Sequence, residues 1–159
     1  MQKFTGLKTL YLDDNAIQRI ENLDHLEHLL SLYLSKNLIT RVENLQALAK
    51  LEVLDLSSNN ITTLSGLPPL LSLKTLNLSN NKLRTKKDVQ DVLSCVSLLS
   101  LDLSDNSIHE PSALDPVLAL PLRHLRIAGN PLHQGIDFCK KHILSHRGTQ
   151  LVNLDGLPV

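Results

Sequence analysis

Three residues near the carboxyl end have the types and spacing of metal ligands. Cys139, His142 and His146 read C-x2-H-x3-H, which on a helix sets three donors on nearly one face. A closed tetrahedral site needs a further ligand, and no second Cys or His pair accompanies them, Cys95 being far away in the chain. The expectation is therefore no metal, with Cys139 turned to a core and both histidines to solvent. His25 and His28 carry no motif. The sequence has no Gly-rich phosphate loop, no G-x-S-x-G elbow and no H-E-x-x-H pair, so no catalytic residue is assigned and no cofactor is expected. What remains is recognition chemistry, beginning with Tyr11 and Tyr33, the only two tyrosines.

The elements that carry these tyrosines repeat. LKTLYLDDNAI begins at Leu7, LLSLYLSKNLI at Leu29, LEVLDLSSNNI at Leu51 and LKTLNLSNNKL at Leu73, each 22 residues after the last. LLSLDLSDNSI at Leu98 and LRHLRIAGNPL at Leu122 follow after 25 and 24 residues. Every unit has the form L-x-x-L-x-L-x-x-N-x-apolar, with Ile127 at the third leucine position of the last. Its x-L-x-L-x core alternates with period two, the signature of a short strand with leucines on one side. No single unit can bury such a face, so the units must stack. The expected fold is α/β: a right-handed leucine-rich-repeat solenoid of six repeats, each 22 to 25 residues, with a short parallel sheet on the concave face and a carboxyl-terminal cap.

Asn15, Asn37, Asn59, Asn81, Asn106 and Asn130 sit where each unit turns inward. There an amide can satisfy backbone groups of neighbouring turns, so they are expected to form a structural ladder. Behind them, Ile17-Ile20-Leu23-Leu26, Ile39-Val42-Leu45-Leu48 and Ile61-Leu64-Leu67-Leu70 are apolar at every third position, which suits a 3₁₀-like convex side. Between Arg84 and Ser97 the period lengthens, and Val89, Val92, Leu93 and Val96 follow Thr85-Lys86-Lys87-Asp88. The spacing predicts an α-helix behind a capping box with Asp at N3. A second helix is expected from Pro111 through Leu118, with Pro116 inside it.

These boundaries divide the chain into 1–6, the remnant of a preceding repeat; 7–132, the repeats, starting at 7, 29, 51, 73, 98 and 122; and 133–159, a cap made of a helix bearing Ile136, Cys139 and Ile143 and a last strand in LVNLDG. Phe4, Thr5 and Gly6 read as the tail of an earlier turn, and the chain as a piece of a longer protein.

The strand positions that alternate with the leucines need not pack a core, and they form the candidate partner-binding face. Its central column is Tyr11, Tyr33, Asp55, Asn77, Asp102 and Arg126, with Asp13, Val53 and His124 beside it. Tyrosine offers large amphipathic area at low entropic cost, so Tyr11 and Tyr33 are the expected anchors. Asp13, Asp55 and Asp102 should make the middle acidic, and Arg123, His124 and Arg126 the far end basic, a mixed field that orients a partner. Carboxylates on an open sheet are too well solvated for acid–base catalysis. Lys plus Arg and Asp plus Glu both total 16, so no global field favours nucleic acid or anionic lipid. No apolar run is long enough to span a membrane and no signal peptide is evident at the start. With two distant cysteines, a soluble, monomeric, protein-binding chain of a reducing compartment is expected.

The units IENLDHLEHLLSLYLSKNLI and VENLQALAKLEVLDLSSNNI resemble the bidirectional leucine-rich-repeat class, which includes a regulatory subunit of protein phosphatase one, a spliceosomal protein and several ciliary proteins. KFTGLKTLYLDDNAIQRIENL, the lengthened DVQDVLSCVSLLSLDLSDNSIHEPSALDPVL and the ending LRIAGNPL…FCKKHILSHRGTQLVNLDGLPV resemble the dynein axonemal assembly factor 1 family. The resemblance implies a cytoplasmic scaffold that helps preassemble dynein arms for a cilium or flagellum, with dynein heavy or intermediate chains, chaperones or other assembly factors as partners. A phosphatase-targeting subunit and a dynein-associated light chain are the alternatives from other classes.

Overall fold

The computed structural model describes residues 4–132, 135–145 and 150–159. Six strands of three residues each recur where the leucine alternation requires them: β1 (Thr9–Tyr11), β2 (Ser31–Tyr33), β3 (Val53–Asp55), β4 (Thr75–Asn77), β5 (Ser100–Asp102) and β6 (His124–Arg126). They pair in parallel, in chain order, with equivalent letters opposite one another: Leu10 against Leu32, Leu32 against Leu54, Leu54 against Leu76, and onward to Leu125. The backbone ladder continues past each strand, as in Leu12 N–H to the Tyr33 carbonyl at 2.8 Å and Asp14 N–H to the Ser35 carbonyl at 2.9 Å. Leucine side chains on one face of this ribbon, Leu32, Leu54, Leu76, Leu101 and Leu125, are buried.

Each ladder ends on a residue of left-handed backbone. Asp14, Lys36, Ser58, Asn80 and Asp105 have φ of 57°, 52°, 55°, 53° and 53°, and Gly129 has φ 75°. This kink swings the following asparagine into the core. Asn37, Asn59, Asn81 and Asn106 are buried. Asn59 is representative: its Oδ1 accepts the Ile39 N–H at 3.0 Å, and its Nδ2 donates to the carbonyls of Leu34 at 2.9 Å and Leu56 at 3.0 Å. Asn130 repeats the arrangement with Ile108, Leu103 and Ile127. Asn15 differs from the uniform ladder expected. It is exposed and donates only within its own turn, to the Leu12 and Asp13 carbonyls, because no earlier turn among the described residues offers it backbone groups.

The convex side runs in three-residue steps, with i to i+3 backbone bonds such as Leu26 N–H to Leu23 O at 2.9 Å and Leu48 N–H to Leu45 O at 3.0 Å. The lengthened turn keeps the same step, which corrects the expectation of a full α-helix there. Only α1 (Lys86–Val89) is α-helical, and Gln90–Ser94 is 3₁₀. Val89, Val92 and Cys95 are buried at intervals of three, whereas Leu93 and Val96 are exposed. The neighbouring turn presents its apolar row at three-residue spacing, and packing against that row outweighs the intrinsic preference for 3.6 residues per turn. The Asp88 carboxylate still closes the amino end, accepting the Thr85 N–H at 2.8 Å. The segment at Pro111 likewise divides into 3₁₀ Pro111–Leu114 and α2 (Asp115–Leu118). Pro116 therefore falls in a first turn, where a missing N–H costs nothing.

After β6 come α3 (Gly135–Ser145), β7 (Asn153–Leu154) and β8 (Leu157–Pro158). Ile143, Leu151 and Leu154 join the single apolar cluster that runs through the turns. β7 continues the parallel sheet, and β8 folds back antiparallel on it through Asp155 (φ 53°) and Gly156 (φ 83°), a two-residue hairpin turn that needs positive φ twice. The Asp155 carboxylate accepts the N–H groups of Ile127 at 2.7 Å and Ala128 at 2.9 Å. It thereby takes up two donors that lie just beyond the residues β7 pairs with.

Candidate protein-binding face

The strand residues that alternate with the buried leucines lie on the opposite face of the ribbon. In-register parallel strands are about 4.8 Å apart, so equivalent side chains are held at that spacing, and the two tyrosines show it. The Tyr11 and Tyr33 rings stack at 4.7 Å between centroids and 9° between planes. Tyr11 is 68% exposed and Tyr33 is half-buried. The register then runs Tyr33 to Asp55, Asp55 to Asn77, Asn77 to Asp102 and Asp102 to Arg126.

The polar part of this column is extensively paired. Asp55 accepts the N–H of Ser57 at 2.9 Å, its hydroxyl at 2.7 Å, and the Asn77 amide at 3.2 Å. Asp102 accepts the Ser104 N–H at 2.9 Å and its hydroxyl, and lies 3.6 Å from the Arg126 guanidinium. Asp13 accepts both the N–H and the hydroxyl of Ser35 at 2.8 Å. This redraws the charge pattern expected. Asp102 and Arg126 offset one another, so the far end is less basic than its residue types suggest. Asp13 belongs to the first turn rather than the middle, and the acids without an ion-pair partner among the described residues, Asp13 and Asp55, flank the tyrosines.

At the other end, Asn77, Asp102, His124 and Arg126 line a concavity of about 490 Å³ whose far wall is Asn153 and Gly156. Those last two residues come from the terminal hairpin, beyond the point where the repeat pattern stops. The Asp155-Gly156 pair was their sequence signal. Val53 lies half-buried between Ser31 and Thr75 in the adjoining column.

His142 is engaged elsewhere. Its Nε2 is 2.9 Å from Asp115 Oδ1, and Lys86 Nζ is 3.4 Å from Asp115 Oδ2, so one carboxylate ties α1, α2 and α3 together. The Cys139 side chain and His146 lie outside the described residues. Among the described residues no three His, Cys, Asp or Glu side chains are grouped to hold a metal ion, and no helix is long and apolar enough to cross a membrane. Cys95 is fully buried, and burial pushes its thiol up, away from the reactive thiolate.

Partial burial alone would raise the Asp115 carboxyl, but the His142 hydrogen bond and the Lys86 ammonium outweigh it and hold the group below the usual carboxylate range. A depressed folded-state value means stability that is present above the ordinary aspartate pKa and lost as pH falls through the folded one. With the site partly exposed, Asp115→Asn should cost less than about 1 kcal/mol near neutrality. In urea titrations that small difference should shrink to nothing as the pH is lowered beneath the range in which Asp115 ionises. A difference that persisted or grew in acid would contradict the assignment.

A family model described as leucine-rich repeat matches residues 39–155. Similar curated proteins include Dynein axonemal assembly factor 1 of Peromyscus polionotus, 40% identical over 79 residues, and of Rattus norvegicus, 40% identical over 71. These matches cover 45% and 44% of this chain but 12% and 10% of the relatives, so the chain spans only a small part of their length. Among solved structures, a chain of the Drosophila melanogaster SNF/U2A' complex aligns with TM-score 0.59 and 24% identity, covering 95% of this chain and 74% of that one.

Proposed function

We propose, from the premise that this chain belongs to the leucine-rich-repeat family, that it is a non-enzymatic scaffold whose strand face holds another protein during cytoplasmic preassembly of axonemal dynein arms. The observation that carries the binding face is the Tyr11–Tyr33 stack, a large amphipathic surface left uncovered on a rigid parallel ribbon. Repeats occupying 7–132 would build that ribbon, and 133–159 would close its carboxyl end. Tyr11, Tyr33, Asp13, Val53, Asp55, Asn77, Asp102, His124 and Arg126 are the residues proposed to meet the partner. The asparagines from Asn37 to Asn130 act only by holding the turns that present them.

The dynein setting rests on the names of the relatives that share 40% identity over part of the chain. Its partners would be dynein heavy or intermediate chains, together with chaperones or other assembly factors. Co-precipitation from ciliated-cell cytosol on the immobilised chain, read by mass spectrometry, is expected to recover dynein chains. Recovery of a phosphatase catalytic subunit without any dynein chain would replace this reading with a targeting subunit. Dynein recovered only from assembled axonemes would replace it with a light chain.

A further inference from the structure

The stacked tyrosines and the two flanking carboxylates together specify the chemistry of what the face receives. The rings lie parallel and follow the direction in which the strands pair, since Tyr11 and Tyr33 are register partners. One step further in that direction is Asp55, the register partner of Tyr33. Its side chain is shorter than a tyrosine by most of a ring, so the third place in the stack has a floor but no occupant of its own. That floor is anionic. Asp55 is held in place by Ser57 and Asn77, both neutral donors.

Asp13 borders the same corner. The parallel ladder continues through Leu12 and Asp14, which puts Asp13 on the same face as Tyr11, and its carboxylate reaches across to Ser35 of the next turn. Whereas Glu43, Glu52, Asp102 and Asp115 each have a cationic side chain within ion-pair distance, neither Asp13 nor Asp55 has one among the described residues. The corner is thus aromatic on one side, negatively charged on two, and without a cationic side chain at ion-pair distance among the described residues.

Resting on the reading of this face as the partner site, we propose that the partner presents an arginine whose guanidinium continues the stack on Tyr33 and lies over Asp55. A guanidinium is planar, stacks on aromatic faces, and donates a fork of N–H groups to a carboxylate. An ammonium satisfies the charge but not the plane. A carboxylate or phosphate would meet Asp13 and Asp55 with like charge. The partner's contacting segment is therefore basic at this point, and the far end of the face, where Asp102 and Arg126 are mutually paired, contributes position rather than charge selection.

The test uses the whole 159-residue chain and a phage-displayed random peptide library. Because there is no Trp and both Tyr belong to the stack, intrinsic tyrosine emission reports occupancy of this corner directly. Selected peptides are expected to be enriched in arginine and to change that emission. Exchanging the key arginine of a selected peptide for citrulline, which keeps the shape and removes the charge, should weaken binding about tenfold. Against the Asp55→Asn chain, whose amide can keep the Ser57 contact and whose fold is checked by circular dichroism, the two peptides should bind alike. A selection that yields no arginine-bearing binder overturns the proposal, as does a citrulline effect undiminished by Asp55→Asn. Binders that perturb the tyrosines without arginine enrichment would sink the arginine assignment and leave the face as the partner site. Binders that leave tyrosine emission unchanged would remove the face itself.

Discussion

Replacing Asn59 by alanine is expected to destabilise the chain by about 2–3 kcal/mol, seen as a fall of roughly 5–10 °C in the melting midpoint. The reason lies in the bookkeeping of backbone groups. Ile39 N–H, inside the core, has the Asn59 Oδ1 as its acceptor, and alanine leaves that donor stranded without water. The carbonyls suffer less, because each bridges two amides in succession. Leu34 O accepts from Asn37 and Asn59, and Leu56 O from Asn59 and Asn81. Each loses one of two donors rather than its only one. The matched control is Asn15→Ala, whose residue is exposed and makes only the two local bonds; it should cost less than about 0.5 kcal/mol. Equal effects at the two positions, or an unchanged midpoint for Asn59→Ala, would show that the amides do not carry the stacking of turns.

That contrast also shows where reading letters stops. The recurrence of L-x-L and Asn at constant offsets determines parity and register, so the buried leucines, the inward asparagines and the side-by-side tyrosines were legible before any coordinate. Asn15 has the same letters as Asn59 and a different environment, because a solenoid position is defined by its neighbours as much as by its own pattern. The lengthened turn failed for a related reason. Val89, Val92, Leu93 and Val96 fit a helical period while Val89, Val92 and Cys95 fit a three-residue one, and only the three-residue row of the adjacent turn decides between them. The antiparallel return of β8 had a signal in Asp155-Gly156, but it lies after the repeat ends and so outside the pattern that made the rest readable. The pairing of Asp102 with Arg126 follows from register once the 24-residue offset of the last unit is known. It converts two apparent recognition charges into a mutually satisfied pair.

The second large effect is on binding. Changing Tyr11 and Tyr33 together to alanine is expected to weaken capture of a protein partner on this face by at least about 30-fold, some 2 kcal/mol, because aromatic anchors carry a disproportionate share of interface energy. The rings stack outside the leucine core, and Tyr11 is 68% exposed, so the double variant should keep its far-UV spectrum and nearly all of its stability. A loss of binding would then be a loss of contact and not of fold. The single variants should be unequal and non-additive. Tyr33 supports the Tyr11 ring on one side and borders Asp55 on the other, so Tyr33→Ala removes its own contact and frees its neighbour to move. It should account for most of the double effect. Tyr11→Ala leaves the Tyr33 ring beside Asp55 and should cost less. If both singles and the double bind within about threefold of the parent, the stacked pair merely covers the ribbon, and the partner must be sought at the other end, in the concavity between Asp102, Arg126 and the terminal hairpin.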